Sequence, residues 1–91
     1  MSDEFEWDEE KARLNLAKHG VSFAFGTRVF ADPLWADTDV SRGRDQEGRR
    51  KAVGRIEGKL YAVVYTDRAG VRRLISALRT NRKEERGYDK V

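Results

Sequence analysis

Arg49–Leu78, RRKAVGRIEGKLYAVVYTDRAGVRRLISAL, is the stretch whose reading decides the fold. Leu60 to Thr66 is an almost unbroken apolar and β-branched run, the composition of a central strand covered on both faces. Arg49 to Ile56 precedes it across Glu57-Gly58, and Val71 to Leu78 follows it across Asp67 to Gly70. Turns this short between successive strands demand hairpins, hence an antiparallel meander. Upstream, Leu34 to Val40 is expected to add a short edge strand. Ser41 to Gly48, polar, charged and Gly-rich, reads as an exposed loop.

On the N-terminal side the periodicity is helical. Asp8 can cap a helix whose first turn holds Glu9 and Glu10 and whose last turn holds Lys18 and His19, in the order the helix dipole favours. Gly20 is a natural left-handed stop. Ser22 is expected to cap a second helix running to about Phe30, with Phe23, Thr27 and Phe30 on its core side, ended by Asp32-Pro33. On the C-terminal side, Asn81 with Glu84 three residues on resembles a capping box, so a last helix is expected to about Lys90. The expected architecture is α+β: two N-terminal helices, a four-stranded antiparallel sheet and a C-terminal helix, in one domain over residues 1–91.

The size and composition limit what this domain can be. A chain of 91 residues forms one domain with a thin core, burying roughly 60–65% of its unfolded surface. Hydrophobic and charged residues are 38% each, and the apolar ones come in organised runs, which argues against disorder. There is no cysteine, so disulfides and thiol chemistry are excluded, and a cytoplasmic location is expected. The acidic N-terminus is not a signal peptide, and the longest apolar run is too short to span a bilayer. Net charge is +3, with bases concentrated at Arg42 to Lys51, Arg72-Arg73 and Arg79 to Arg86. Such a distribution reads either as a cationic surface for phosphate or as an ordinary solvated face.

With one His and no Cys, the chain offers no metal-ligand cluster, so no metal or other cofactor is expected. No Gly-rich phosphate loop precedes a helix. What remains is arginine, lysine, His19 and tyrosine, a set suited to cutting RNA without metal. The ribose 2′-OH attacks the adjacent phosphate, cations hold the developing charge, and a side chain moves the proton. His19 is the only side chain whose ordinary pKa lies near neutrality, and it is equally a cation that stabilises a helix end. Neighbours on a strand face opposite sides, so Arg50 shares a face with Ala52 and Gly54, Arg49 and Lys51 share the other, and Arg72 and Arg73 split likewise. Tyr61 and Tyr65 share a face with Val63, as core or as site.

At both ends the sequence resembles the BrnT family of toxins. The residues that carry the likeness are Phe5-Glu6-Trp7-Asp8, Lys11, Asn15 and Lys18-His19-Gly20-Val21-Ser22-Phe23 at the start. At the end they are Arg73-Leu74-Ile75-Ser76-Ala77, Asn81-Arg82-Lys83-Glu84 and Tyr88. Val53-Gly54, Leu60 to Thr66 and Asp67-Arg68 fit the middle. Two departures stand out: Leu78 where the family often has Arg, with Arg79 following, and Ala24-Phe25 where it often has acids. The resemblance implies a RelE-like fold, ribonuclease activity without a cofactor, and a cognate BrnA antitoxin with a ribbon-helix-helix DNA-binding region. Operator DNA would then be bound only through the antitoxin, and no membrane is involved. On this reading Arg50, Arg73 and Arg79 hold phosphate and transition-state charge, with Arg79 standing in for the arginine missing at Leu78. His19 transfers the proton, and Tyr65, Arg68, Arg82 and Tyr88 contact the RNA. The rival reading is a noncatalytic basic module that binds nucleic acid or a protein.

Overall fold

Both expected hairpin turns form in a computed structural model, which describes residues 4–41, 43 and 48–80. Glu57 (φ 52°) and Gly58 (φ 81°) make one turn, Ala69 (φ 51°) and Gly70 (φ 87°) the other. Two successive positive φ angles are the type I′ geometry whose twist matches that of paired strands. The Asp67 carboxylate closes the second turn by accepting from the Gly70 N–H at 3.1 Å. In chain order the elements are β1 (Glu4–Glu6), α1 (Glu9–His19), α2 (Phe23–Gly26), a 3₁₀ turn (Thr27–Ala31), β2 (Ala36–Asp39), β3 (Arg50–Ile56), β4 (Lys59–Arg68) and β5 (Val71–Arg79). The sheet order is β1-β5-β4-β3-β2, antiparallel throughout except that β1 runs parallel to β5.

The expected architecture of two N-terminal helices, a four-stranded antiparallel sheet and a C-terminal helix is thereby corrected. The sheet has five strands and is mixed, and the described part of the chain opens in a strand. Its first strand is Glu-Phe-Glu, too short and too acidic to leave a period-two signal, and it forms only because β5 supplies an edge for it at Arg72. The second helix is a single α turn, continued as 3₁₀. Ser22 caps it as expected, accepting from the Phe25 N–H at 3.0 Å. Gly26 then lies against the sheet, where an added Cβ would stand 3.1 Å from Ala77 Cβ and 3.3 Å from Val63 Cγ2. The 3₁₀ winding that follows repeats every three residues, which brings Val29 in line with Phe23 and Gly26; all three are buried. No C-terminal helix is present among the described residues, and Asn81 to Lys90, where one was expected, lies outside them. The expected loop at 41–48 also falls largely outside them.

The main core fills the face of the sheet against α2 and the 3₁₀ turn. It is built from Phe23, Val29, Phe30, Ala52, Ile56, Val63, Tyr65, Leu74 and Ala77. Each edge of the sheet is finished by a side chain where its short outer strand stops. Beyond β1, the Asn15 amide donates to the Ala77 carbonyl at 2.8 Å and accepts from the Ala77 N–H at 3.2 Å, as a paired strand would. Beyond β2, the Asp32 carboxylate accepts from the Arg55 N–H at 2.7 Å. Gly54 sits under that second closure: an added Cβ would lie 2.7 Å from the Val29 carbonyl oxygen and 3.2 Å from Trp35 Cβ. The Val29 carbonyl is held by the Asp32 N–H at 3.2 Å and cannot yield freely. Gly54→Ala is therefore expected to cost about 1–3 kcal/mol, the usual range for overpacking. Urea denaturation checks it, and an unchanged midpoint would show that the 3₁₀ turn moves aside.

Candidate functional site

Strand register assembles a polar cluster at one end of the core-side face. Arg50 on β3 and Tyr65 on β4 are direct cross-strand partners, and Asp39 on β2 is the partner of Arg50. Asp37 lies two residues before Asp39 and therefore on the same face. Its carboxylate collects two donors: Tyr65 donates its hydroxyl to Oδ1 at 3.0 Å, and Arg50 donates Nε–H to Oδ2. The Tyr65 ring is 3% exposed and packs edge-on to Phe30, with centroids 5.2 Å apart. Arg72, on the same face of β5, lays its guanidinium over Phe30 at 4.3 Å, Trp35 at 5.5 Å and Phe5 at 6.0 Å from the ring centroids. Cation–π attraction of this kind holds a guanidinium in place over the aromatic cluster.

Electrostatics fix the protonation states here. The hydrogen bond and charge of Asp37 raise the Arg50 pKa above its ordinary value, so Arg50 remains a cation at every working pH. Burial, then the hydrogen bond to Asp37 and its charge, push the Tyr65 hydroxyl up to about 12 against the opposing pull of Arg72 and Arg50. Tyr65 is thus a hydrogen-bond donor and not a phenolate base. Asp39 is held below the ordinary carboxylate value by hydrogen bonds from the Ser41 backbone and hydroxyl, and by Arg50. The Tyr65 shift has a stability consequence. A group whose folded pKa is raised contributes fully below its unfolded pKa and loses that contribution as pH rises through the folded one. The stability advantage of the native protein over Tyr65→Phe is expected to be constant up to about pH 10 and to shrink between about 10 and 12. Paired urea titrations across that window measure it, and a gap that does not change with pH would refute the assignment.

The described residues expected from sequence to share a site are distributed over four places. Arg50 and Tyr65 come together as described. Arg73 lies on the opposite face of the sheet, donating to Glu6 on β1 at 2.6 Å. Arg68, exposed at the end of β4, also belongs to that opposite face. Arg79 is the exposed last residue of β5, paired with Tyr61. Tyr61 is four residues from Tyr65, so strand geometry puts Arg79 about 16 Å from Arg50. A bulge in β5 opposite Val64 and Tyr65 shifts its alternation, so that Arg72 and Arg79 share a face and Arg73 does not. His19 is exposed at the end of α1, beside a groove at the β5 edge lined by Lys11, Leu14, Lys18, Ile75 and Ser76. Arg82 and Tyr88 lie outside the described residues.

Sequence reasoning missed Asp37, Trp35 and Arg72 as a group. Strand parity separated Arg72 from Arg73, but only the β2–β3 register brings Asp37 beside Arg50. Among the described residues, no group of three or more His, Cys, Asp or Glu is placed to hold a metal ion. No helix among them is long and apolar enough to cross a membrane.

Residues 7–84 match the model of a protein family described as ribonuclease toxin, BrnT, of type II toxin–antitoxin system. No curated protein matches the chain.

Proposed function

The chain belongs to the BrnT family of type II toxin–antitoxin ribonuclease toxins, and from that premise we propose that it cuts RNA at the Arg50 end of the sheet. The observation that carries this reading is the convergence of a permanent cation and a phenol donor on one anion position, beside a second, ring-stacked cation. Guanidinium and hydroxyl donors are the groups that recognise phosphate oxygens, and Trp35 and Phe5 beside Arg72 supply surfaces on which a splayed base can stack. The ribose 2′-OH attacks the neighbouring phosphorus and gives its proton to solvent, the P–O5′ bond breaks as O5′ takes a proton from solvent, and the products carry a 2′,3′-cyclic phosphate and a 5′-hydroxyl. Arg50 and Arg72 hold the charge that grows on the phosphate oxygens, and Tyr65 donates to one of them.

A toxin of this class has an antitoxin as its partner. The resemblance read from the sequence makes that antitoxin BrnA-like and puts operator-DNA contact on the antitoxin alone, with the toxin acting in the cytoplasm. Induction of the chain by itself is expected to arrest bacterial growth, and purified protein is expected to cut RNA rather than only shift it on a gel. The bond broken identifies the chemistry: replacing the 2′-OH by hydrogen at the cleaved nucleotide should abolish cutting there. Cleavage is also expected to persist in excess chelator, because the proposed step uses only arginine and tyrosine donors. Loss of activity in chelator, restored by added magnesium, would overturn that mechanism.

A second reading puts the cut at the α1–β5 groove, favoured by Lys11, Lys18, His19 and Ser76 lining one depression. Single-turnover cleavage by His19→Ala separates the two. It collapses if His19 moves the proton, and it stays near the native rate if the Arg50 end is the site.

A further inference from the structure

We propose that Asp37 is a resident stand-in for the RNA phosphate, a carboxylate that holds Arg50 and Tyr65 in their binding geometry and must give them up when RNA enters. The inference rests on the reading above that RNA phosphate is bound at Arg50. Its basis is the way the carboxylate is used. One oxygen accepts from the Tyr65 hydroxyl at 3.0 Å and the other from Arg50, so both are engaged, as the two free oxygens of a phosphodiester would be. The charges correspond as well. A carboxylate and a phosphodiester each carry a single negative charge, so exchanging one for the other leaves the cluster's balance unchanged.

The position of Asp37 makes that exchange feasible. It is carried by β2, a four-residue outer strand with three exposed residues, and not by the core strands that carry Arg50 and Tyr65. The Asp37 side chain is 27% exposed and that of Arg50 is 42% exposed, so water and ligands reach the pair. Ion pairs this open are weakly held. Tyr65, by contrast, is anchored by its ring in the core and stays in place whichever anion it faces. Asp37 therefore keeps the two donors pre-aligned, and it also competes with the substrate for them. Its own charge repels an incoming phosphate as well. This makes it a positioning residue that sets RNA affinity, distinct from the groups that stabilise the transition state.

The test measures binding of a short RNA oligonucleotide, 2′-O-methylated throughout so that it cannot be cut. The proteins compared are the native chain, Asp37→Asn, Arg50→Ala, the double variant, and Glu57→Gln. The last removes a carboxylate that pairs with Arg28, away from the cluster. Circular dichroism verifies folding. Asp37→Asn is expected to tighten binding about three- to tenfold. Arg50→Ala is expected to weaken it, the double variant to bind no better than Arg50→Ala, and Glu57→Gln to match the native chain. That pattern ties the gain to release of Arg50 rather than to a lower overall negative charge. If Arg50→Ala weakens binding and Asp37→Asn leaves it unchanged or weaker, the stand-in role is wrong while the RNA site remains. A gain that survives in the double variant also overturns it. If Arg50→Ala leaves binding untouched, the site itself is misplaced and the inference falls with it. Asp37→Glu, which keeps the charge on a longer stem, is expected to restore native-like weak binding. If it instead binds as tightly as Asp37→Asn, the competition is not one of charge and the proposal fails.

Discussion

Arg50→Ala is expected to lower the single-turnover rate of RNA cleavage about 10²–10³-fold, the loss typical of removing one well-placed donor from a developing anion. The expectation follows from position and charge. Arg50 is kept cationic by Asp37, shares its face with the Tyr65 hydroxyl, and lies at the end of the sheet where Arg72 is stacked on three rings. Folding should be little affected. The Arg50–Asp37 pair is partly exposed, and pairs of that kind contribute about 0–1 kcal/mol. Arg79→Ala provides the contrast. Sequence alone made Arg79 the replacement for an arginine absent at Leu78, yet it is exposed and about 16 Å from Arg50 along the sheet. Its loss is expected to leave the rate within a few-fold of native. A folded Arg50→Ala that cuts at the native rate would sink the proposed site, and a collapse in Arg79→Ala would move the site to the other end of the sheet.

Asn15→Leu is expected to be the most destabilising single change, at about 3–5 kcal/mol. Asn15 is the one buried residue of α1, at 8% exposure. Its amide donates to the Val21 carbonyl at 2.9 Å and the Ala77 carbonyl at 2.8 Å, and accepts from the Ala77 N–H at 3.2 Å. Leucine has nearly the same size but no polar atoms, so three buried backbone groups would lose their partner at once, each at about 1–3 kcal/mol before relaxation. A domain this small has about 5–15 kcal/mol in total, so much of its margin would go. Urea unfolding measures the effect, and Asn15→Asp checks the cause. It keeps an acceptor for the Ala77 N–H but places carboxylate oxygen against two carbonyls, and should also be strongly destabilised. A loss below about 1 kcal/mol in Asn15→Leu would show that water or α1 re-satisfies the β5 edge.

The hairpins were legible because their signals are local. Glu57-Gly58 and Ala69-Gly70 supply residues for positive φ at the required spacing, and Leu60 to Thr66 can hardly be anything but a covered strand. The cap at Asp8, the stop at Gly20 and the cap at Ser22 were legible for the same reason, since each acts within four residues of itself. Strand parity was legible too, and correctly separated Arg50 from Arg49 and Lys51.

Other features depend on elements far apart in the chain. Glu4–Glu6 is a strand only because β5 offers an edge 67 positions away, and nothing in three residues announces that partnership. The bulge in β5 moves Arg79 onto the face of Arg72, which no periodicity in Val71 to Leu78 reveals. Asn15 reads as one more polar helix residue until Ala77 is beside it. By itself the sequence determined the hairpins, the bounds of α1, the start of α2 and the family, because those rest on local backbone preference and on residues in a recognisable order. Only the tertiary structure decided which charges meet: Asp37 with Arg50 and Tyr65, and Arg73 with Glu6 on the other face. The reason is physical. Ionic and hydrogen-bonded contacts act over a few ångströms, and the strand register and sheet order that bring these side chains so close are set by packing of the whole domain.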